Sequence, residues 1–410
     1  MKRYKNIIEA WYLVNYIKSI MGARVLYVKN TIGDDIERRL SYFGLFFFLI
    51  WYILYFYCTC ISYMEEQTVL RILYDTKLKQ YGDYVENIIS LHYVLYVMWK
   101  VPFDLSGSTV KIQELIDIDK TIESMCEPID YTRSAFITLL TFTLQLGLSA
   151  TKMMTLWLIL SNFEVAMPFS KMYQIVFVEI LVLNVASCYC FYLISIRARY
   201  IIVNKVLKKI KNKKSLEQHI FVHETRQGNI QRALQVQEKY VCEKIKTCAK
   251  THSLLYHSTE SANKKFGFAL AFTMFLCLIT IILYLFYLME ATASGLFHNV
   301  PRYCEFLAFV FWQIIVAIGV VYVIVYFCEL TTAEAKATAI VTHQIINNNF
   351  SPVVTSEAMQ LSLQLLHQVP VFTARGLYKL DYLIILEGAR SVVTFLVMLI
   401  QFVTDPPSAL

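Results

Sequence analysis

Charge and backbone-breaking residues are both scarce in this chain. Asp, Glu, Lys and Arg make up 17% of the 410 residues, against about 25% in an average soluble domain. Gly occurs 12 times and Pro 8 times, which excludes collagen-like and low-complexity classes. The first forty residues lack an uninterrupted apolar stretch followed by a small-residue cleavage site, so a signal peptide is not expected and the N-terminus is expected to stay cytoplasmic. Zinc-knuckle spacing is missing too. The ten cysteines include Cys58-Thr-Cys60 and Cys188-Tyr-Cys190, which are too close for a C-x2-C pair and read as membrane-packed thiols. A disulfide at Cys304 is the alternative there.

What remains is apolar. Hydrophobic residues reach 57% and aromatics 15%, and the mean hydropathy is +0.49. Runs long enough to cross a bilayer recur from Ser41 to Val403 and leave no stretch for a separate soluble domain. Six runs are unambiguous: 41–63, 134–160, 172–196, 266–289, 306–327 and 382–403. A seventh, about 84–101, carries Glu86, Asn87 and His92 beside Tyr93, Tyr96 and Trp99, a mixture that suits a span packed among others. The expected fold is all-α, a polytopic membrane protein with seven transmembrane helices.

Orientation follows the Lys and Arg distribution. Lys2, Arg3, Lys5, Lys18, Arg24, Lys29, Arg38 and Arg39 crowd the N-terminal arm, and Arg197 to Lys214 begin a basic stretch that continues to Lys265. Both belong inside the cell, which puts the C-terminus outside. The acidic segment 104–130 would also lie inside, a weak objection because acidic residues contribute little to the rule. The sequon Asn349-Phe350-Ser351 falls in a loop expected to be cytoplasmic, so glycosylation there would contradict this topology.

The organisation expected is a cytoplasmic arm over 1–40, helices one to four over 41–200 as part of a ligand bundle, and a cytoplasmic helical extension over 201–265. Helices five and six follow over 266–330, a cytoplasmic loop and anchor helix over 331–381, and the last helix with an extracellular tail over 382–410. Within the arm, Ile7, Trp11, Val14 and Met21 fall near one helical face, as in a helix lying on the membrane surface; a simple positive-inside anchor is the alternative. In the anchor segment, Met359, Leu363 and Leu366 share a face over 357–367. The basic loop suits anionic inner-leaflet lipid rather than DNA, and no nucleic-acid motif is present.

Polar groups in a membrane helix face protein or water. In the last span Glu387, Arg390, Ser391, Thr394, Met398 and Gln401 recur every three or four residues as one stripe, which fits a pore lining. Pairing of Glu387 with Arg390 is the alternative. For a small ligand, a largely apolar pocket with a few polar groups is needed, and the outer halves of helices three to six offer Trp157, Tyr173, Gln174, Phe177, Glu179, Tyr284, Tyr287, Glu290, Trp312 and Gln313. Trp312-Gln313 combines a stacking ring with an orienting amide. For each aromatic, helix packing or an interfacial belt is the competing role. Glu179 lies about two turns inside helix four and needs a partner, either Lys152 or a ligand hydroxyl or amine.

Rival classes fare poorly. A G-protein-coupled receptor has the opposite orientation, and D-R-Y and N-P-x-x-Y motifs are absent. A transporter would show inverted repeats and broken helices; Gly147, Gly267 and Gly319 are isolated and read as close-packing sites. An enzyme would need an acid-base or metal cluster, whereas His252, His257 and Glu260 lack an H-E-x-x-H arrangement and read as a solvated helix face. No cofactor or metal is expected.

The C-terminal residues carry a resemblance. Leu361-Ser-Leu-Gln-Leu-Leu-His367, Phe372-Thr-Ala-Arg-Gly-Leu-Tyr-Lys-Leu-Asp-Tyr382 and Thr394-Phe-Leu-Val-Met-Leu-Ile-Gln-Phe402 resemble the C-terminal signature of insect gustatory receptors, T-Y-five apolar-Q-F. Phe395 stands where Tyr is usual. The resemblance implies a tastant-gated cation channel of four subunits, homo- or heteromeric with other gustatory receptor subunits, in the plasma membrane of a sensory dendrite. It further implies that the last helices surround the pore, with Gln401 and Phe402 forming or supporting a gate, and that an odorant receptor of the same superfamily is the nearest rival.

Overall fold

The computed structural model describes residues 7–30, 36–64, 77–105, 109–162, 168–220, 227–293, 300–348 and 350–404. Asn349 of the sequon lies outside them. Two short helices, α1 (Ile7–Ala10) and α2 (Tyr12–Ile20), precede a hairpin of β1 (Leu26–Asn30) and β2 (Ile36–Leu40), paired antiparallel with Leu26 opposite Leu40. Then follow α3 (Tyr42–Met64), α4 (Lys77–Lys100) running into a π-helical turn (Val101–Leu105), α5 (Thr109–Glu123), α6 (Tyr131–Asn162), α7 (Phe169–Ile220), α8 (Gln227–Ala293), α9 (Val300–Ile346), α10 (Pro352–His367) and α11 (Tyr382–Thr404).

Each apolar run from the sequence forms a helix. Among the described residues, six helices are long and apolar enough to cross a membrane: α3, α6, α7, α8, α9 and α11. The seventh, α4, is helical over its full expected length but more polar. At 1.5 Å per residue, α7 with 52 residues and α8 with 67 reach about 80 and 100 Å, two to three times the bilayer core. Their polar halves therefore continue as helices beyond the apolar layer and pack with the lower part of α9 and with α10 as a base.

Hydrophobic burial holds the two parts in one core. Tyr52, Phe177, Leu181, Val185 and Tyr189 fill the bundle, while Val203, Leu207, Ile245, Cys248, Ile345, Ala358 and Leu361 fill the base, in a single contiguous cluster. At roughly 25 cal/mol per Å² of apolar surface removed from water, such a seam is the main favourable term in the base.

Three features differ from the sequence reading. The arm is not one surface helix: the chain turns at Trp11, and Ile7, Val14 and Lys18 are buried against the bundle while Tyr12, Leu13 and Tyr16 face outward. The acidic segment contributes a helix, α5, with Ile112, Leu115, Ile118 and Ile122 buried, a spacing that lays one stripe against α7 and α8. On α10 the inward face is Val354, Ala358, Leu361 and Leu365, whereas Met359, Leu363 and Leu366 are exposed. The helix is apolar on both faces, and the one with small Ala358 allows the closer approach.

Gly267 is a close-packing site, since a Cβ there would lie 2.4 Å from the Arg375 backbone nitrogen. Gly147 and Gly319 have nothing within 4 Å of theirs. All ten cysteines are free thiols, Cys304 exposed among them.

Candidate functional site

Charged and hydroxyl side chains meet at the end of the bundle where α4 and α7 begin and α6 and α8 finish. Asp83, Glu86 and Asn87 share one face of α4 at intervals of three and four. Lys171 Nζ donates to Asn87 Oδ1 at 3.0 Å and to Gln174 Oε1 at 3.2 Å. Tyr284 and Tyr287 of α8 donate to Glu86 Oε2 at 3.5 Å and to Asp83 Oδ1 at 3.4 Å. Tyr287 fits only because residue 82 is Gly: a Cβ there would sit 2.1 Å from its hydroxyl. Lys152 of α6 donates to Glu179 Oε2 at 2.7 Å, both buried, so the structural partner expected for Glu179 is in place. Glu179 Oε1 has no hydrogen-bond partner among the described residues. Burying such groups is costly unless they are paired, and the cluster spans four helices.

Beside it lies an aromatic wall. Tyr173 stacks on Trp51 at 6.1 Å and on Phe177 at 5.7 Å, and its hydroxyl donates to the Trp51 carbonyl at 2.9 Å. Phe177 meets Tyr52 and Tyr55, each at 5.1 Å. The buried Tyr52 hydroxyl has no hydrogen-bond partner among the described residues.

Not every ligand candidate joins this region. Trp157 is 61% exposed on the outside of α6. Trp312 is half-buried and makes an edge contact with exposed Phe311, while Gln313 points into the protein. Consecutive residues on a helix point about 100° apart, so ring and amide do not act on one group. Glu86, Asn87 and Lys171 were absent from the sequence-derived candidates. The polar residues of the weakest span were the available signal; their partners come from other helices.

The signature segment forms a tight turn ahead of α11. Thr373 and Lys379 pair as an isolated bridge, and Leu380 N–H donates to the Phe372 carbonyl at 2.9 Å. Arg375 and Gly376 supply φ of 53° and 77°, the left-handed region that reverses the chain. Asn263 of α8 clamps the turn, donating to the Val371 carbonyl at 2.7 Å and accepting from Thr373 N–H at 3.1 Å. Thus the sequence pattern encodes a rigid link between α8 and the last helix.

Of the membrane-length helices, α11 is the least covered, with 6% of its most apolar stretch buried. Ile384, Val392, Leu396 and Leu399 form its inward seam. The polar stripe points away from the chain's own core: Glu387, Arg390, Thr394, Met398 and Gln401 are exposed and Ser391 half-buried. No Glu387–Arg390 ion pair is present among the described residues; Ser391 and Thr394 instead donate to the backbone carbonyls of Glu387 and Arg390, each at 3.0 Å. Phe402 belongs to α11, but its side chain lies outside those described.

A second charged network ties the base together. Arg199, 2% exposed, grips Asp119 through Nε at 2.7 Å and Nη2 at 2.6 Å, and its Nη1 donates to the Ser195 carbonyl at 2.7 Å. Tyr131 donates to the same carboxylate at 2.8 Å. Lys205 and Lys209 both pair with Glu127 and hold its carboxyl below the usual range. His252 is not solvated: it is 1% exposed against Tyr200, and burial lowers its pKa to about 4. His257 and Glu260 are exposed as expected.

Comparison with known proteins agrees with this architecture. The chain is 22% identical to putative gustatory receptor 28a of Drosophila melanogaster over 391 residues, covering 89% of this chain and 86% of the relative. It is 25% identical to putative gustatory receptor 28b of the same fly over 241 residues, 56% and 50% of the two chains. In fold it is similar to the olfactory receptor OR5 of Machilis hrabei, with a TM-score of 0.57 at 11% identity over 96% and 99% of the chains. The same receptor in complex with eugenol gives 0.58 over 96% and 98%, again at 11% identity. Residues 20–404 match the family of 7tm chemosensory receptors, and the chain belongs to that family.

Proposed function

We propose that the chain is a taste receptor working as a tastant-gated, non-selective cation channel in the plasma membrane, built from four copies or from mixed subunits around a pore lined by α11. The observation that carries this reading is the exposure of α11. A membrane-length helix that leaves both apolar flanks and a continuous polar stripe uncovered needs other copies on its flanks and water along its stripe. Gln401 then lines the aqueous path near its outer end, and Phe402 closes it by dewetting.

Small molecules enter the outer half of the bundle, where the polar cluster and the Tyr173–Phe177 wall lie. The arm, the extension and the α10 region face the cytoplasm. The signature turn transmits the change, because α8 contributes Tyr284 to the cluster and Asn263 to the turn. Ligand binding shifts a closed–open equilibrium by its differential affinity for the two states. The gustatory names of the sequence relatives favour a tastant over an odorant, and the neighbour's complex with eugenol supports a small organic ligand.

Expressed alone in a heterologous cell, the protein should carry cation current. Gln401→Ala or Phe402→Ala should change basal current, ligand-evoked current or ion selectivity, and three unchanged quantities would remove the gate assignment. Epitope tags should show a hidden N-terminus and an exposed C-terminus in intact cells. The opposite staining would return the G-protein-coupled topology to first place.

A further inference from the structure

The inward face of the arm carries a buried lysine. On α2, Val14 and Lys18 fall four residues apart and are both buried against the bundle, Lys18 with 2% of its surface exposed. Its Nζ lies 4.3 Å from the centre of the Phe191 ring and donates to Cys188 Sγ of α7 at 3.1 Å. A lysine ammonium carries three donors; among the described residues this one finds a single acceptor, and that acceptor is a sulfur. Arg24 is buried nearby and donates through Nε to the Leu26 carbonyl at 2.8 Å. For both cations the strongest attractive charge partner is the Cys188 sulfur.

Packing alone does not account for this pair. Burying an ammonium is costly unless it is well paired, and an apolar side chain of similar volume would fill the space without that cost. Sulfur is a weak acceptor and compensates little. Among the described residues no other cysteine accepts a hydrogen bond from a lysine.

Both members are placed to react. Burial lowers the pKa of Lys18 and so favours the neutral amine, whose lone pair is a nucleophile. Cys188 is half-buried beside two cationic side chains, the partly exposed, electropositive surroundings in which cysteines are oxidised. Cys190, two residues on and therefore on the opposite side of α7, is fully buried in the core.

We propose that Lys18 and Cys188 form an oxidation site at which hydrogen peroxide joins them through a nitrogen–sulfur bond. Peroxide first oxidises the thiol: an S–O bond forms, the O–O bond breaks and one water leaves, giving a sulfenic acid. The Lys18 amine then attacks that sulfur. An N–S bond forms, the S–O bond breaks, and the hydroxyl departs with an amine proton as a second water. The peroxide is reduced to water and the pair loses two hydrogens. The product ties the arm to α7 across 170 positions of sequence, and an excess of thiol reductant releases it.

The test treats the purified full-length protein with hydrogen peroxide, digests it without reductant and weighs the peptides by mass spectrometry. Peptides carrying Lys18 and Cys188 should appear joined, two hydrogens lighter than their sum, and should separate after dithiothreitol. This measurement needs no variant, so it stands whether or not a substituted chain folds. Lys18→Arg keeps the charge and removes the nucleophilic amine; its Cys188 should remain unlinked and take up dimedone, a trap for sulfenic acids, several-fold more than in the unchanged chain. Equal dimedone uptake in the two chains, a Cys188 that stays reduced while other cysteines oxidise, or a disulfide to another cysteine in place of the link would each overturn the proposal. A joined pair carrying an added oxygen would contradict the nitrogen–sulfur bond.

Discussion

Two helices whose most apolar stretches have nearly the same mean hydropathy, 2.0 in α7 and 2.1 in α11, behave in opposite ways. In α7, 78% of the most apolar stretch is buried; in α11 the figure is 6%. The first is the hub on which α3, α6, α8 and α9 pack, and several of its polar residues find partners on other helices: Arg199 in Asp119, Glu179 in Lys152, Asn204 in the Glu334 carbonyl at 2.8 Å. In the second, the hydroxyls of Ser391 and Thr394 return to their own helix's backbone. Hydropathy alone cannot separate a hub from a helix reserved for other surfaces. What separates them is where the polar side chains find partners, and substitutions on the two helices should therefore fail in different ways.

The largest effect belongs to the hub. Arg199→Ala leaves Asp119 buried with a tyrosine hydroxyl but no cation, at a cost of about 3–5 kcal/mol. Such a variant should lose most folded protein at the cell surface, read by surface labelling and by melting in detergent. Normal levels would remove the distinction from its hub side.

An intermediate effect is expected from His252, packed on the part of α7 that enters the base. Its pKa is lowered to about 4 by burial, against about 6.5 when unfolded. Between these values the unfolded chain holds the extra proton. Stability is then complete above about pH 6.5 and falls as the pH drops towards 4, by as much as about 3 kcal/mol. His252→Phe, which keeps a ring against Tyr200, should flatten that part of a melting-temperature profile. An unchanged slope would assign the acid sensitivity elsewhere.

The smallest stability effect belongs to α11. Thr394→Ala removes a hydroxyl that meets only its own helix, so folding should change by less than about 0.5 kcal/mol while single-channel conductance changes. Thermal melting and patch recording on the same variant check the two halves of this expectation. A large loss of stability would mean that the stripe packs within the chain.

The helix series was legible in the sequence because runs of twenty apolar residues have few other uses, and even the weak seventh run was recovered as α4. The hairpin was missed although Leu26–Asn30 and Ile36–Leu40 flank Gly33-Asp34, a turn composition; the arm's basic charge dominated the reading. His252 looked solvated because the residues that bury it lie on another helix. On α10 two apolar faces compete, and the structure selects the one with small Ala358. At the candidate site, Glu179 with Lys152 was readable as a charge needing a partner. Glu86 with Lys171 was not, since 85 residues and a change of helix separate them and no local period links the two.

The central claim is that the α11 stripe faces other copies across a shared pore. Cysteines introduced singly at Met398 and Gln401 should, on mild oxidation of membranes, give disulfide-linked dimers on a denaturing gel well above those formed by the chain with its ten native thiols. Cross-linking at both positions is the expected result, because residues around a narrow symmetry axis approach within disulfide reach. No cross-linking above the native background at either position would contradict the account.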